Sequence, residues 1–236
     1  MKGTYDEIAS EYYSDLHLTS RNFDAATNNF FLKKKIKIYD DKCLLEVGSG
    51  KGKLHRLFNL TNSKKIYVDL SKKMLSLSPN LYNVNKIQSD AYFLPFRQSL
   101  FNFVVSFLYD PFNQINFYEE IFRVLKKQGI FLGTLPHIFW GKKLRNIINI
   151  DHNSTVFKKI SSKNKQNVIV NSYLMSAEKI KELLQNVGFT KIRTKNLYLP
   201  NTKINISEHI LKVSEIHSIS PYSIPIVLLI YGEKPK

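Results

Sequence analysis

Residues 44–54 combine an acid with three alternate glycines between an apolar run and a helical segment. Glu46 ends the apolar run, and Gly48, Gly50 and Gly52 follow it. Glycine tolerates the positive φ angles of a tight turn, and its missing side chain lets a bulky ligand lie against the main chain at a helix start. The segment therefore predicts a nucleotide-type site at the carboxyl end of a parallel strand.

The residues in and beside this turn exclude two common types of nucleotide site. The dinucleotide fingerprint G-x-G-x-x-G needs a third glycine where Lys53 stands. A phosphate-binding P-loop needs a glycine in place of Val47 and a hydroxyl in place of Leu54. What remains is an acid followed by Gly-x-Gly-x-Gly.

The elements around the turn alternate between short apolar runs and helical segments. This alternation predicts a parallel sheet with helices on both faces, an α/β fold. Ser71 is an N-cap residue for one crossover helix, and residues 115–127 form a second one that stops before Gly129. The predicted strands are residues 43–47, 65–69, 86–89, 101–107 and 130–135.

The two ends of the chain add further elements. Residues 5–37 predict one or two helices, and residues 176–187 predict a helix with Ser176 as N-cap and Gly188 as stop. Residues 137–172 form the least regular part, an insertion rich in lysine where loops often cover a substrate. Two closing strands, at 190–199 and 225–232, and a helix at 208–216 complete the chain.

The turn and the segments after it resemble the class I S-adenosylmethionine-dependent methyltransferases, in the small-molecule, UbiE-like branch of that family. Glu46 and the glycines are similar to the first motif of the family. Residues 66–75, 88–96, 101–107 and 119–129 are similar to its next strands and helices in the same order. The resemblance covers roughly residues 5–135 and the helix at 176–189. It departs at Asn102, where the family usually has Asp, and at 127–128, where Pro-Gly is common.

The resemblance implies a Rossmann-like, seven-stranded, mostly parallel sheet with helices on both faces. It implies a single domain over residues 1–236. Its parts are N-terminal lid helices at 1–40, a cofactor-binding core at 41–135, a substrate-covering insertion after the fifth strand at 136–175, and the rest of the sheet at 176–236.

The resemblance also implies the cofactor, S-adenosyl-L-methionine, with S-adenosyl-L-homocysteine as product and no metal. Asp69, at the end of the second strand, corresponds to the acid that binds the ribose hydroxyls, and Asp90 to the acid that receives the adenine amino group. The implied cofactor-binding residues are Tyr5, Tyr12, Glu46, Gly48, Ser49, Gly50, Gly52, Asp69, Leu70, Met74, Asp90, Ala91 and Phe107.

The acceptor side is predicted from residues that follow the fourth and fifth strands. Tyr109 and Trp140 are predicted to contact the acceptor, and Asp110 and His137 are candidates for a general base if the acceptor must lose a proton. Residues 110–112 are similar to the Asn/Asp-Pro-Pro-Tyr motif of amino-group methyltransferases. One proline is missing, and we treat this likeness as a coincidence.

The net charge of +16 leaves three functions open. We favour a small-molecule acceptor enclosed by the N-terminal helices and the insertion. RNA, particularly tRNA, is the alternative, because Trp140, residues 33–35 and the lysines of the insertion could bind an anionic chain. A non-catalytic scaffold that kept the fold is the third, although its glycines and acids need not then be intact. A compositional bias toward lysine explains the charge equally well.

The remaining sequence features predict a cytoplasmic protein. The N-terminus lacks the apolar core of a secretory signal, and no apolar run approaches the ~20 residues that span a bilayer. The single cysteine, Cys43, is consistent with a reducing compartment. No histidines or acids have the spacing of a metal site.

Overall fold

The backbone alternates between strands and helices, and the most central strands coincide with the predicted ones. This computed structural model describes residues 4–12, 14, 17–34, 42–58, 62–151, 154, 156–160 and 167–236. Among these residues the strands are β1 (Cys43–Val47), β2 (Lys64–Asp69), β3 (Val84–Gln88), β4 (Phe101–Phe107), β5 (Leu125–Pro136), β6 (Val156–Ile160), β7 (Asn167–Asn171), β8 (Thr190–Leu197) and β9 (Val227–Glu233). The α-helices are α1 (Leu18–Lys34), α2 (Leu54–Leu57), α3 (Lys72–Leu77), α4 (Ile115–Val124), α5 (Ile138–Ile147), α6 (Ala177–Val187) and α7 (Glu208–Ile216).

Seven of the strands form one sheet in the order β3-β2-β1-β4-β5-β9-β8. The pairs from β3 to β5 are parallel, and β9 runs antiparallel to both β5 and β8. This is the mostly parallel, Rossmann-like sheet that the sequence predicts. Since β1 lies between β2 and β4, the chain crosses to opposite sides of β1, and ligands of such sheets bind beside that reversal at the carboxyl ends of the strands.

The core lies on both faces of the sheet. Along β4, Phe103 and Val105 belong to an apolar cluster that includes side chains of α1, α5 and α7. Val104 belongs to a second cluster that includes side chains of α4 and α6. Because successive side chains of a strand point to opposite faces, a strand buried on both sides is apolar at most positions, as β4 is.

Serine caps fix where three of the helices begin. The hydroxyls of Ser71, Ser176 and Ser207 accept hydrogen bonds from backbone N–H groups three residues later, at the starts of α3, α6 and α7. Helix α6 ends at Gly188, whose φ of +109° is the left-handed conformation that glycine adopts at low cost. The predicted stop at Gly188 is therefore confirmed.

Helix α4 ends three residues earlier than its sequence pattern predicts. Leu125 is fully buried and pairs with Phe101, so the chain enters β5 directly after Val124. The ammonium group of Lys234 donates to the carbonyls of Phe122 and Leu125 at 2.7 and 2.8 Å. These bonds satisfy acceptors that a continuing helix would have used.

The insertion is more regular than the sequence suggests. It contains α5 and an antiparallel hairpin of β6 and β7. Val168 and Val170 of the hairpin pack against Ile8, and Tyr5 and Tyr12 pack around this small cluster. The hairpin thereby holds the N-terminal segment, residues 4–12, beside the carboxyl ends of the parallel strands.

Candidate functional site

The glycine turn leaves β1 and is held in shape by Glu46. The Glu46 carboxylate accepts hydrogen bonds from the backbone N–H groups of Lys53 and Leu54 at 2.9–3.0 Å. Gly48, Gly50 and Gly52 all have positive φ. An acid at the strand end therefore anchors the start of α2, and glycines are required between the two.

Burial controls the charge of Glu46. Its side chain is 1% exposed, and desolvation raises the pKa of its carboxyl to about 7. The two backbone donors and the nearby Lys53 and Arg56 lower the pKa by smaller amounts. Glu46 is thus a buried group that titrates close to neutral pH.

Asp69 and Asp90 follow β2 and β3 at the same edge of the sheet. The Asp69 carboxylate accepts from Gly50 N–H and Ser71 N–H, both at 2.8 Å. Burial raises its pKa, and these backbone donors oppose that effect. Asp90 accepts from the backbone N–H of Tyr92 at 2.9 Å. Asp69 therefore ties the glycine turn to the start of α3.

The N-terminal segment closes over this edge. Asp6 Oδ1 accepts from the Ser71 hydroxyl and from Lys73 N–H. Lys51 donates to the carbonyl of Tyr12 at 2.8 Å. Hydrogen bonds therefore connect the N-terminal segment both to the start of α3 and to the glycine turn.

A first cavity of about 270 Å³ lies between the turn, the ends of β2 and β3, and the N-terminal segment. The hydroxyl of Ser49 is buried in its wall without a hydrogen-bond partner among the described residues. With the exception of Gly52, every sequence-predicted cofactor residue lines the cavity: Tyr5, Tyr12, Glu46, Gly48, Ser49, Gly50, Asp69, Leu70, Met74, Asp90, Ala91 and Phe107.

Gly52 has a different role in the turn. A Cβ atom at Gly52 would lie 2.4 Å from the ring of Tyr67, which is fully buried. Gly52 is therefore required for the close approach of the turn to β2 rather than for contact with the cavity.

A second cavity of about 520 Å³ adjoins the first. Tyr5, Tyr12, Leu108 and Val170 line both cavities. The walls of the second cavity come from α1, α5, β7 and α7, in addition to the N-terminal segment. A molecule in it would lie beside a molecule in the first cavity.

The predicted acceptor residues separate into two groups. Asp110 and Trp140 line the second cavity. The 3₁₀ turn at Asp110–Phe112 lies where the cavities meet, since Pro111 and Phe112 line the first one. The short polar-proline-aromatic stretch that we treated as a coincidence in the sequence therefore borders both cavities.

Tyr109 and His137 lie outside both cavities, and we do not retain them as acceptor residues. Tyr109 is fully buried in the core on the α4 side, and its hydroxyl lies 3.0 Å from that of Tyr118. His137 is the N-cap of α5: its Nδ1 accepts from Phe139 N–H, and its Nε2 lies 3.1 Å from Asn196 Oδ1. The Tyr109 ring is enclosed by the core, and both ring nitrogens of His137 have partners outside the cavities.

The structure adds residues that the sequence analysis did not select. Lys53 lines the first cavity, is 4% exposed and forms an ion pair with Asp24 of α1. His17 and Arg145 line the second cavity, and Glu11 lies 3.9 Å from His17 Nε2. Lys53 stands inside the glycine motif and could have been found there, whereas the others carry no local sequence signal.

The described part of the chain contains no group of three or more His, Cys, Asp or Glu side chains that could hold a metal ion. It also contains no helix that is long and apolar enough to cross a membrane.

Comparisons with known sequences identify the central part of the chain. Residues 45–133, from β1 to β5, match a family model described as methyltransferase domain. The chain is 28% identical over 196 residues to the uncharacterized protein MJ1252 of Methanocaldococcus jannaschii, over 81% of this chain and 72% of that protein.

Comparisons with solved structures agree on the fold. A chain from the complex between the Haloferax volcanii Trm112 methyltransferase activator and a methyltransferase has a TM-score of 0.72 at 15% identity, with both chains fully covered. A protein described as an S-adenosylmethionine-dependent methyltransferase from Listeria monocytogenes has a TM-score of 0.67 at 19% identity, over 91% of this chain and 99% of that one.

The domain match spans the glycine turn and the three acids that line the first cavity, Glu46, Asp69 and Asp90, and the sheet order and the solved structures agree with it. The central part of the chain is therefore a methyltransferase domain, and the fold is the one shared by S-adenosylmethionine-dependent methyltransferases.

Proposed function

We propose that the protein transfers the methyl group of S-adenosylmethionine to a compact small molecule bound in the second cavity. The observation that carries this proposal is the pair of adjoining cavities, which share four lining residues. Such an arrangement brings a donor and an acceptor together in one enclosed space, and this positioning lowers the entropic barrier of a two-substrate reaction.

The first cavity suits S-adenosylmethionine. Asp69 offers a carboxylate at the position where the family binds ribose hydroxyls, and the buried Ser49 hydroxyl offers a further polar contact. A Cβ atom at Gly50 would meet no protein atom within 4 Å, so the main chain there is open to a ligand.

The cofactor supplies a methyl group that is already activated on a sulfonium sulfur. The chain therefore has to bind, align and exclude water, and no protein nucleophile is required. Tyr5 and Tyr12 of the N-terminal segment and Val170 of β7 line both cavities. A bound acceptor would displace water from this space, an effect that strengthens the electrostatic interactions inside.

A proton must leave if the acceptor is a hydroxyl or a protonated amine. Asp110 and His17 line the second cavity and are the candidates to receive it. Glu11, which is 7% exposed, lies beside His17 and would stabilise a positive charge on the ring. A carboxylate or a neutral ring nitrogen would need neither residue.

The walls of the second cavity favour a small molecule over RNA. Leu144 is 1% exposed and Trp140 is 5% exposed, so these parts of the wall face an interior space. The RNA alternative depends on Trp140, residues 33–35 and the lysines of the insertion. Four of those lysines, Lys158, Lys159, Lys163 and Lys165, have side chains outside those that the structure describes.

The first test is a calorimetric titration with S-adenosylhomocysteine, with NAD and ATP as controls. We expect binding of S-adenosylhomocysteine alone, and no binding would contradict the assignment of the first cavity. The second test incubates the protein with methyl-labelled S-adenosylmethionine and either low-molecular-weight metabolites or total RNA. Label in the metabolite fraction supports the proposal, and label in RNA alone overturns it.

A further inference from the structure

The second cavity has a buried guanidinium in its wall. Arg145, on α5, is 2% exposed and is among the largest fully buried side chains of the described chain. Moving an unpaired charge out of water is strongly unfavourable, so a buried arginine needs acceptors for its donors. Its contacts therefore indicate what the cavity is built to hold.

Not every N–H group of the Arg145 guanidinium has a hydrogen-bond partner among the described residues. One terminal nitrogen, Nη2, donates to the carbonyl of Ser172 at 2.9 Å. Nε is buried and has no hydrogen-bond partner among the described residues. Burial lowers the pKa of Arg145, and the negative charges of Asp110 and Asp151 oppose that effect. Since arginine keeps its proton in proteins, an oriented cationic donor remains in the wall.

A second donor in the same wall is also unused. The indole Nε1 of Trp140, one and a half turns earlier on α5, is buried without a partner in the described part of the chain. The ring of Trp140 packs edge-on against Phe23, with ring centres 5.0 Å apart. Arg145 Nε and Trp140 Nε1 can each donate but not accept, so both require an oxygen or another acceptor from a ligand.

We propose that the methyl acceptor carries an anionic oxygen group, a carboxylate or a phosphate-type group, which binds Arg145 while Trp140 donates to another acceptor atom of the same molecule. This inference rests on the proposed function and names the substrate class of its second cavity. Phe23, Trp140 and Leu144 provide the apolar surface for the rest of the molecule.

Asp110 also lines the second cavity, and its negative charge suggests the main alternative interpretation of Arg145. If Arg145 served only to neutralise Asp110, the cavity would prefer a neutral or cationic molecule. The two interpretations differ in the sign of the ligand charge, so the test compares probes that share one body and differ in charge.

The experiment measures dissociation constants by ligand-observed NMR on the protein saturated with S-adenosylhomocysteine. The probes are 3-phenylpropionate, 2-phenylethylphosphonate, the neutral 3-phenylpropionamide and the cationic 3-phenylpropylamine. We expect at least one of the two anions to bind about tenfold or more tightly than the amide, because an ionised acceptor strengthens a hydrogen bond to a guanidinium. The amine should bind most weakly. The identity of the preferred anion separates carboxylate from phosphate-type acceptors.

Variants assign the preference to Arg145. Arg145→Met keeps an unbranched buried stem and removes the charge, so the anions should bind no more tightly than the amide. Lys142→Met makes the same charge change at an exposed position of α5 outside the cavity wall, and it should keep the preference of the wild type. Arg145→Gln, which also removes the charge and should also abolish the preference, replaces Arg145→Met if that variant does not fold.

Equal binding of anion and amide by the wild type, or tightest binding of the amine, would overturn the inference without any variant. The titrations are repeated without S-adenosylhomocysteine. A protein that fails to bind S-adenosylhomocysteine but still prefers the anions contradicts the proposed function and leaves the anion site supported.

Discussion

Two glycines of the same turn provide a paired test of the site. Gly50 and Gly52 have φ angles of +52° and +73°, so an alanine at either position is strained by about 1–2 kcal/mol. Their surroundings differ. A Cβ at Gly50 meets no atom within 4 Å, whereas a Cβ at Gly52 lies 2.4 Å from Tyr67, a fully buried ring whose hydroxyl accepts from His55 N–H.

The two substitutions should therefore affect different properties. Gly52→Ala adds an overpacking term of about 1–3 kcal/mol to the strain, so its free energy of unfolding should fall by about 2–5 kcal/mol in total. Gly50→Ala should lose only the strain term. Gly50 lines the first cavity, however, and a methyl group there would overlap a bound cofactor. An overlap of about 1–3 kcal/mol weakens binding of S-adenosylhomocysteine by about 5- to 150-fold.

Urea unfolding of both variants gives the first comparison, and calorimetric titration with S-adenosylhomocysteine gives the second. Gly50→Ala should show the larger loss of affinity, and Gly52→Ala the larger loss of stability. Wild-type affinity in Gly50→Ala would refute the placement of the cofactor against the turn. Equal stability of the two variants would refute the close approach of Tyr67.

Three further substitutions test the surrounding groups. Asp69→Ala should weaken S-adenosylhomocysteine binding by about 1–3 kcal/mol in calorimetry, because the ribose hydroxyls lose a charged acceptor. The control is Glu119→Ala, which removes an exposed carboxylate from α4. Equal affinities of the two variants would remove Asp69 from the site. Burial raises the pKa of Glu46 to about 7. Between about pH 4.5 and 7 the carboxyl therefore keeps its proton in the folded protein and loses it in the unfolded chain. The free energy of unfolding should therefore fall by up to about 3 kcal/mol as pH rises from 4.5 to 7. Glu46→Gln should flatten that slope in urea titrations, and an unchanged slope would contradict the burial. Asp6→Ala removes the acceptor of Ser71 and Lys73 and should speed dissociation of S-adenosylhomocysteine by about 5- to 30-fold in stopped-flow measurements. An unchanged rate would show that the N-terminal segment does not retain the ligand.

Local patterns in the sequence predicted the sheet, and all but one of the selected cofactor residues line the first cavity. Continuous apolar runs predicted the buried parallel strands, and serine and glycine predicted the ends of α6. The acids at the ends of β1, β2 and β3 lie together because parallel strands bring their carboxyl ends to one edge. These features depend on residues that are close in the chain and on the rule that parallel strands end at one edge of the sheet.

The residues around the acceptor were harder to predict, because their side-chain positions depend on contacts between segments that are distant in the chain. Tyr109 follows β4 as the sequence suggests, but its backbone direction places the ring in the core, where it meets Tyr118. His137 follows β5, yet it caps α5 and approaches Asn196. A position after a strand predicts which edge of the sheet a residue is near, and it does not predict which way the side chain points.

By itself, the sequence predicted the methyltransferase domain and indicated S-adenosylmethionine as its cofactor, because the glycine turn and its acids are local and ordered along the chain. The tertiary structure decided what surrounds the acceptor. Arg145 reads in the sequence as one more cation in a basic insertion, and it is buried beside Ser172 only because the chain after β7 returns to α5. Burial is a property of the packed elements, and it turns an ordinary surface charge into a group that requires a partner.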